Sequence, residues 1–267
     1  MTWPLNLTFT LVDFETTGKF PAHGDRVVEF AYQTIKNGQI IASGQSLVNP
    51  NRRMSQEASA INGITDQMLI NQPTFENAAT GLWHAIDGNI FVAHNAYFDL
   101  NCFVHECSKV GWELPNFVAV DTLKLARNVW KSPNYRLETL ARAVGHRTNV
   151  AHRAMADVEM MARVMDSIFK QFPGRFTDLQ SLNQFQSKIP NAVLTQKHNF
   201  SKMGNFILEN IKRRIKIEYH SQKSGKSIRE ITPLRVYYNG YNEMIQAECH
   251  RSHCEKSFRV DRILCIL

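Results

Sequence analysis

Residues 11–18 read LVDFETTG, and inside this apolar run Asp13 and Glu15 stand one residue apart. Strand side chains at i and i+2 share a face, so the two carboxylates project together while Val12 and Phe14 point the other way, into a core. Like charges that close raise each other's pKa unless a cation lies between them. Hard divalent ions such as Mg²⁺ take oxygen ligands, commonly one or two carboxylates together with a substrate phosphate. A strand edge with two solvated acids has the same pattern, and further acids distinguish the two cases.

Two later segments supply those acids. VAHNAYFDLNCF places Asp99 just after a short apolar strand, at the start of a helix whose dipole tolerates its charge. AHRAMADVEMMARV places His152 immediately before a long helix and Asp157 within it. Taken singly, Asp99 also reads as an ordinary helix-start acid and His152 as a surface loop histidine.

In order, LVDFETTG, HNAYFD and HRAMAD resemble the three signature motifs of the DEDDh 3′-to-5′ exonucleases. That group includes the proofreading subunit of bacterial DNA polymerase, RNase T and the TREX nucleases. DRVVEFAYQTI, NPNRRMSQEASAINGIT and VDTLKLAR are similar to family segments in register, so the resemblance covers about residues 8–170. A tyrosine-type relative carries Tyr four residues before the last Asp. Here position 153 is Arg and His152 precedes Asp157 by five, which matches the histidine subclass. The resemblance implies an α/β, ribonuclease H-like domain with a mixed five-stranded sheet, in which Asp13, Glu15, Asp99 and Asp157 hold two Mg²⁺ or Mn²⁺ ions. His152 is then the general base, and nucleoside 5′-monophosphates leave from single-stranded or frayed 3′ ends. It also implies substrate contacts from Thr16, Thr17, Ile61 and Phe98. Where the family commonly has His after the apolar residue, this chain has Asn62, which hydrogen-bonds sugar or phosphate without carrying charge.

At 267 residues the chain exceeds the roughly 150 of an ordinary domain, so a second, smaller module is expected. Strand-like runs are read at 7–15, 26–36, 39–48, 90–94 and 117–120, with a long helix from near Arg153 to about Gln171. Residues 1–175 are assigned to the exonuclease domain, and 176–202, rich in Gln, Ser and Asn, to a connector. Residues 203–267 are read as a helix, Met203 to Arg214, followed by four short strand-like runs with turns at KSGK, YNGY and RSHC. Charge follows the same division: residues 1–175 hold 16 Lys and Arg against 16 Asp and Glu, while 176–267 hold 15 against 8. The whole net charge of +7 thus lies in the last third, which suits a polyanion partner, although surplus lysine also serves solubility.

The basic module resembles a second family. IKIEYHSQKSGKSIREITPLRVYYNGY and KSFRVDRI are similar to the WYL domain, a small all-β, Sm-like barrel. Tyr219, Pro233, Phe258, Arg259, Asp261 and Arg262 fall at pattern positions, while Glu243, Met244 and Ile245 replace the Trp, Tyr and Leu that name the family. The likeness implies a nucleic-acid or nucleotide contact, with Arg213, Arg214, Tyr219, Arg259 and Arg262 as accessory candidates. A protein partner or a dimer contact through this module is the other use it implies.

A hydrophobic fraction of 43% is ample for real cores. No apolar run nears the ~18 residues of a membrane span, and MTWPLNLTFTL lacks the basic start of a secretory signal, so a soluble, cytoplasmic protein without membrane contact is expected. Five cysteines without framework spacing argue against a disulfide scaffold. CHRSHC offers four soft ligands in a short run but lacks the second, separated pair of a structural zinc site, and fits a hairpin turn. QSLNQF is faintly similar to sliding-clamp-binding peptides, and a connector helix with an apolar face accounts for it better. Two function classes stay open: an active exonuclease, and a non-catalytic nucleic-acid-binding regulator that keeps a nuclease fold. Retention of all four acids and the histidine favours the enzyme.

Overall fold

The computed structural model describes residues 3–5, 7–21, 24–146, 152–186, 201–221, 225–238, 243–252 and 254–267. The chain divides into two compact units, Met1–Ile189 and Pro190–Leu267. No described helix is long and apolar enough to cross a membrane.

The first unit contains β1 (Thr8–Thr16), β2 (Val27–Lys36), β3 (Gln39–Leu47), α1 (Gln56–Asn62), α2 (Asp66–Leu69), α3 (Phe75–Ala78), α4 (Thr80–Ile86) and β4 (Ile90–Ala93). It continues with α5 (Tyr97–Val110), β5 (Val118–Asp121), α6 (Thr122–Val129), α7 (Leu137–Ala143), α8 (Ala154–Gln171) and α9 (Leu179–Gln186). The strands lie in the order β3-β2-β1-β4-β5, antiparallel among the first three and parallel from β1 to β5, which is the expected mixed five-stranded sheet. β2 and β3 are joined by Asn37-Gly38, both at positive φ (53° and 76°), the backbone that a two-residue hairpin turn requires.

β1 sits at the centre, and its apolar positions Phe9, Leu11 and Val12 are fully buried. α8 lays Val158, Met161, Val164, Met165, Ile168 and Phe169 against it in one core with Trp3 and Phe9. Trp3, Phe9 and Phe169 meet edge-on or tilted at centroid distances of 5.0–5.7 Å. The connector reading is revised over its first part, because Phe176 and Leu182 are buried in this same core. Phe185 packs on Phe172 and Phe176, and the Arg175 guanidinium lies 4.8 Å from its ring centre. The QSLNQF segment therefore spends its apolar face inside the unit. Residues 187–200 of the assigned connector lie outside the described residues.

The second unit holds α10 (Lys202–Glu209), β6 (Ile215–Ser221), β7 (Gly225–Tyr238), β8 (Glu243–Cys249), β9 (Cys254–Arg259) and β10 (Ile263–Ile266). All pairings are antiparallel, in the order β10-β6-β7-β8-β9. Ile207 of α10 and residues of all five strands enclose a single core, so the sheet curls around its own contents. Pro233 has no N–H for a central strand, and it stands at the register shift between Pro233 and Arg235. The leading helix is shorter than the expected Met203–Arg214. It stops at Glu209 because Lys212 turns to φ 63° and donates its N–H to the Pro233 carbonyl at 2.7 Å, which feeds the chain into β6. The expected YNGY turn falls outside the described residues apart from its flanks.

Candidate active site

The site forms where the parallel strands end. The β1–β4 ladder stops at Leu11–Val92, so Asp13, Phe14 and Glu15 run past the end of β4. With β4 gone, the Phe14 N–H donates to Asp99 Oδ1 at 3.2 Å. That bond places the acid of the second motif, in the first turn of α5, against the backbone between the two acids of the first. The turn leading there is held by Asp121, whose carboxylate accepts the Asn95 N–H and also caps α6 at Leu123, both at 3.0 Å. His94 is half-buried between Thr122 Oγ1 and the Tyr135 carbonyl, and desolvation there keeps it below the usual histidine range.

The third motif arrives through an ion pair that the sequence did not point to. Glu29 of β2 stands directly opposite Glu15 in the register. Its carboxylate takes the Arg153 guanidinium as a fork, with Nη2 at 2.7 Å and Nε at 3.1 and 3.2 Å, and accepts the Ala154 N–H at 3.1 Å. The start of α8 is thereby pinned beside β1. His152 just before it has φ 61°, a left-handed conformation that disfavours side chains by about 1–2 kcal/mol. The Glu29–Arg153 fork after it and the His152 N–H, donated to the Asp157 carboxylate, hold it there. As a result one polar atom each of Glu15, His152 and Asp157 lie within 4.8 Å of one another. The exposed imidazole also approaches Glu138 of α7, Nε2 to Oε1 3.6 Å.

All four carboxyls are shifted toward the neutral form. Asp13 is held well above the ordinary carboxylate range by burial and then by Asp99, Asp157, Glu15 and Glu29. Asp99 is also raised, mainly by burial, against the opposing bond from Phe14. Burial and Asp157 push Glu15 up to about 7, although Asn62 and Arg153 oppose the rise. Asp157 is pushed up to about 7 by burial and Glu138, against the His152 N–H. An oxygen-rich cluster whose ionised form is penalised from every side is the donor set a hard divalent cation relieves, so these residues fit a metal centre.

A cleft of about 320 Å³ opens beside Glu15 and is lined by Thr16, Thr17, Gly18, Ile61, Asn62 and Phe98 among others. The structure thus brings the expected substrate residues together, with differences in role. Ile61 is exposed at the rim and Phe98 is half-buried. Thr17 is fully buried; its hydroxyl bonds Asp25 Oδ1 and accepts the Arg26 N–H, both at 3.1 Å, so it builds the loop. Asn62 is also buried: its amide accepts the Ile64 N–H at 3.0 Å, reaches the Thr16 carbonyl at 3.4 Å and bonds Glu15. Asn62 thus grips the end of β1 while still lining the cleft.

The accessory candidates of the second unit separate in the same way. Tyr219 is 9% exposed, stands edge-on to Phe258 at 5.2 Å and accepts the Arg259 N–H at 3.2 Å, which makes it a core residue. Arg214 pairs with Glu230 at 2.8 Å, and Arg259 forks onto Asp261 at 2.5 and 2.9 Å. Arg213 is exposed and Arg262 is half-buried. Glu29 was legible by the signal that exposed Asp13: an acid inside an apolar strand, here VVEFAY. Glu138 carried no such signal.

The RNase T exonuclease family model matches residues 10–165, and the WYL-domain model matches residues 210–266. The chain is 31% identical over 232 residues to the 3′-5′ exonuclease DinG of Bacillus subtilis, covering 86% of this chain and 24% of that protein. It is 36% identical over 167 residues to DNA polymerase III subunit epsilon of Treponema pallidum, covering 61% and 75% respectively. Against a PolC-type DNA polymerase III of Thermotoga petrophila the values are 35% over 162 residues, 60% of this chain and 12% of the relative. Several of these relatives are therefore far longer than the stretch they share. Among solved structures, Exonuclease X in complex with 5′ overhanging duplex DNA aligns with a TM-score of 0.52 at 24% identity, over 67% of this chain and 99% of that one. An E. coli ExoI–ssDNA complex aligns with a TM-score of 0.59 at 19% identity, over 90% and 54%. At such identities the likeness is one of fold.

Proposed function

The chain belongs to the RNase T family of exonucleases, and from that premise we propose that it is a metal-dependent 3′-5′ exonuclease acting on DNA. The observation that carries this reading is the gathering of Asp13, Glu15, Asp99 and Asp157, from three separate segments, into one mutually repelling cluster beside a cleft. Degenerate nuclease folds have no reason to keep so costly a cluster.

In this proposal the four carboxylates hold two Mg²⁺ or Mn²⁺ ions. Bound there, such ions would supply charge stabilisation for displacement at phosphorus. His152 takes the proton of the attacking water, and the αL backbone aims its ring at the cluster without burying it. Glu138, 3.6 Å away, orients the imidazole. Ile61 at the rim and Phe98 on the cleft wall pack against the terminal base, while Thr16 and Gly18 let the backbone approach the last nucleotide. The second unit is an accessory grip for longer strands. Its ion pairs shift that role from Arg214 and Arg259 toward the exposed Lys212, Arg213 and Lys216, with Arg262.

End-labelled DNA and RNA oligomers incubated with Mg²⁺ test the reading. The expected result is stepwise release of nucleoside 5′-monophosphates from the 3′ end, stopped by a 3′-phosphate and indifferent to a 5′ block. First release of the 5′ label would overturn the 3′-5′ direction, and no hydrolysis by metal-loaded protein that still binds strands would favour the regulator reading instead.

A further inference from the structure

Two cysteines of the second unit face each other across a hairpin. In the β8–β9 ladder Cys249 and Cys254 are direct partners and flank the turn at residues 250–252. Directly opposed residues of an antiparallel pair have Cα atoms about 4.5 or 5.5 Å apart and side chains on the same face, within the roughly 4.4–6.8 Å that a disulfide spans. Ser252 reports on both sulfurs: Cys254 Sγ lies 3.5 Å from its Oγ, and Cys249 also hydrogen-bonds with the serine side chain. The partners differ in access, since Cys249 is fully buried in the barrel core and Cys254 is exposed.

From this juxtaposition we propose that Cys249 and Cys254 are a reversible redox pair, which a hydroperoxide converts to a cross-strand disulfide. The exposed Cys254 thiolate attacks the peroxide: an S–O bond forms, the O–O bond breaks, the sulfur is oxidised by two electrons and the reduced oxidant leaves as water or an alcohol. The Cys249 thiolate then attacks the resulting sulfenic sulfur, forming S–S and expelling hydroxide, which takes a proton to become water. Cys249 suits the second step. Burial raises its thiol, yet the Ser252 hydroxyl, the turn N–H groups of Arg251 and Ser252, and Lys256 outweigh that and bring it below the usual range. The other cysteines lack this arrangement: burial pushes Cys102 and Cys107 well up, and Cys265 lies 3.6 Å from the Glu218 carboxylate. A pair of this kind is compatible with a reducing compartment, where disulfides are transient and regulatory.

The full-length protein, reduced and freed of reductant, is exposed to a small excess of hydrogen peroxide, and the remaining thiols are alkylated. The expected product has lost two hydrogens by intact mass, alkylates at three of its five cysteines, and yields one peptide joining Cys249 to Cys254. Dithiothreitol restores five. Cys254→Ser, at an exposed position, should leave the thermal midpoint unchanged, abolish the cross-linked peptide and keep Cys249 alkylatable, whereas Cys265→Ser should leave the cross-link intact. Recovery of Cys254 as sulfinic acid or as an intermolecular disulfide, with Cys249 still alkylating, would overturn the proposal. So would a cross-link through Cys265, or reduced, untreated protein that carries zinc and shields both thiols.

Discussion

The first unit gathers four buried or half-buried carboxylates close enough to repel one another, whereas the second unit carries its surplus of basic residues largely at exposed positions, where acids meet Arg214 and Arg259. The difference lies in what burial does to a charge. In a low-dielectric cluster an unbalanced charge is expensive, so it is kept only where a bound cation offsets it. On a surface a charge costs little, is screened by salt, and is half-cancelled by a neighbour such as Asp261 beside Arg259. A few buried residues therefore state a chemistry, while a larger exposed surplus states only an affinity for polyanions.

The contrast breaks most sharply at the acids. Asp13→Asn and Asp157→Asn should each cost more than the 10–100-fold typical of an outer-shell change and leave no measurable release of nucleotides, as should a chelator. Normal turnover in either variant would show that the cluster is not a metal centre. His152→Ala should lower the rate by about 100-fold while metal affinity, read by titration calorimetry, changes little. Glu29→Gln removes the fork on Arg153 that pins α8, and should cost about 10–100-fold in rate with a lower melting temperature. Equal rates would confine Glu29 to a purely local ion pair.

Stability of the metal-free protein gives a smaller and oppositely signed effect. Asp13, Asp99, Glu15 and Asp157 are raised in the folded chain, so the fold retains protons that the unfolded chain has released. Their contribution is therefore favourable at low pH and is lost as pH climbs from the ordinary carboxylate range to about 7, where Glu15 and Asp157 titrate. Thermal melts with chelator should fall by a few degrees between pH 5 and 8, and saturating Mg²⁺ at pH 8 should reverse the loss. A flat profile with chelator would mean that the cluster is already relaxed by water. The smallest effect concerns the exposed surplus. Ending the chain near Lys188 should spare hydrolysis of short oligomers. On long single strands the slope of log affinity against log salt should become shallower by about 0.7 for every phosphate that the second unit had neutralised. Arg262→Ala should reproduce part of that change and Arg259→Ala less, because Asp261 already occupies its guanidinium. Parallel slopes would assign the second unit to protein contacts or dimerisation.

The sequence by itself determined the strands of the mixed sheet to within a residue or so, because alternation of Val, Ile and Phe with polar positions and the Asn37-Gly38 turn act locally. It also determined the four acids and His152 as one group, since their residue types and order were enough to mark the motifs. Only the tertiary structure decided what holds them. Glu29 reaches Arg153 across more than a hundred residues of chain, and Phe14 offers Asp99 its N–H because the β1–β4 ladder ends at Leu11 while β1 runs on to Thr16. The intramolecular bonds of Asn62, Thr17 and Tyr219, to Ile64, Asp25 and Arg259, were likewise visible only once the chain was folded. Residue type states which bonds a side chain can make, but a buried polar group takes whichever partner packing brings within reach, and that choice is made by contacts distant in sequence.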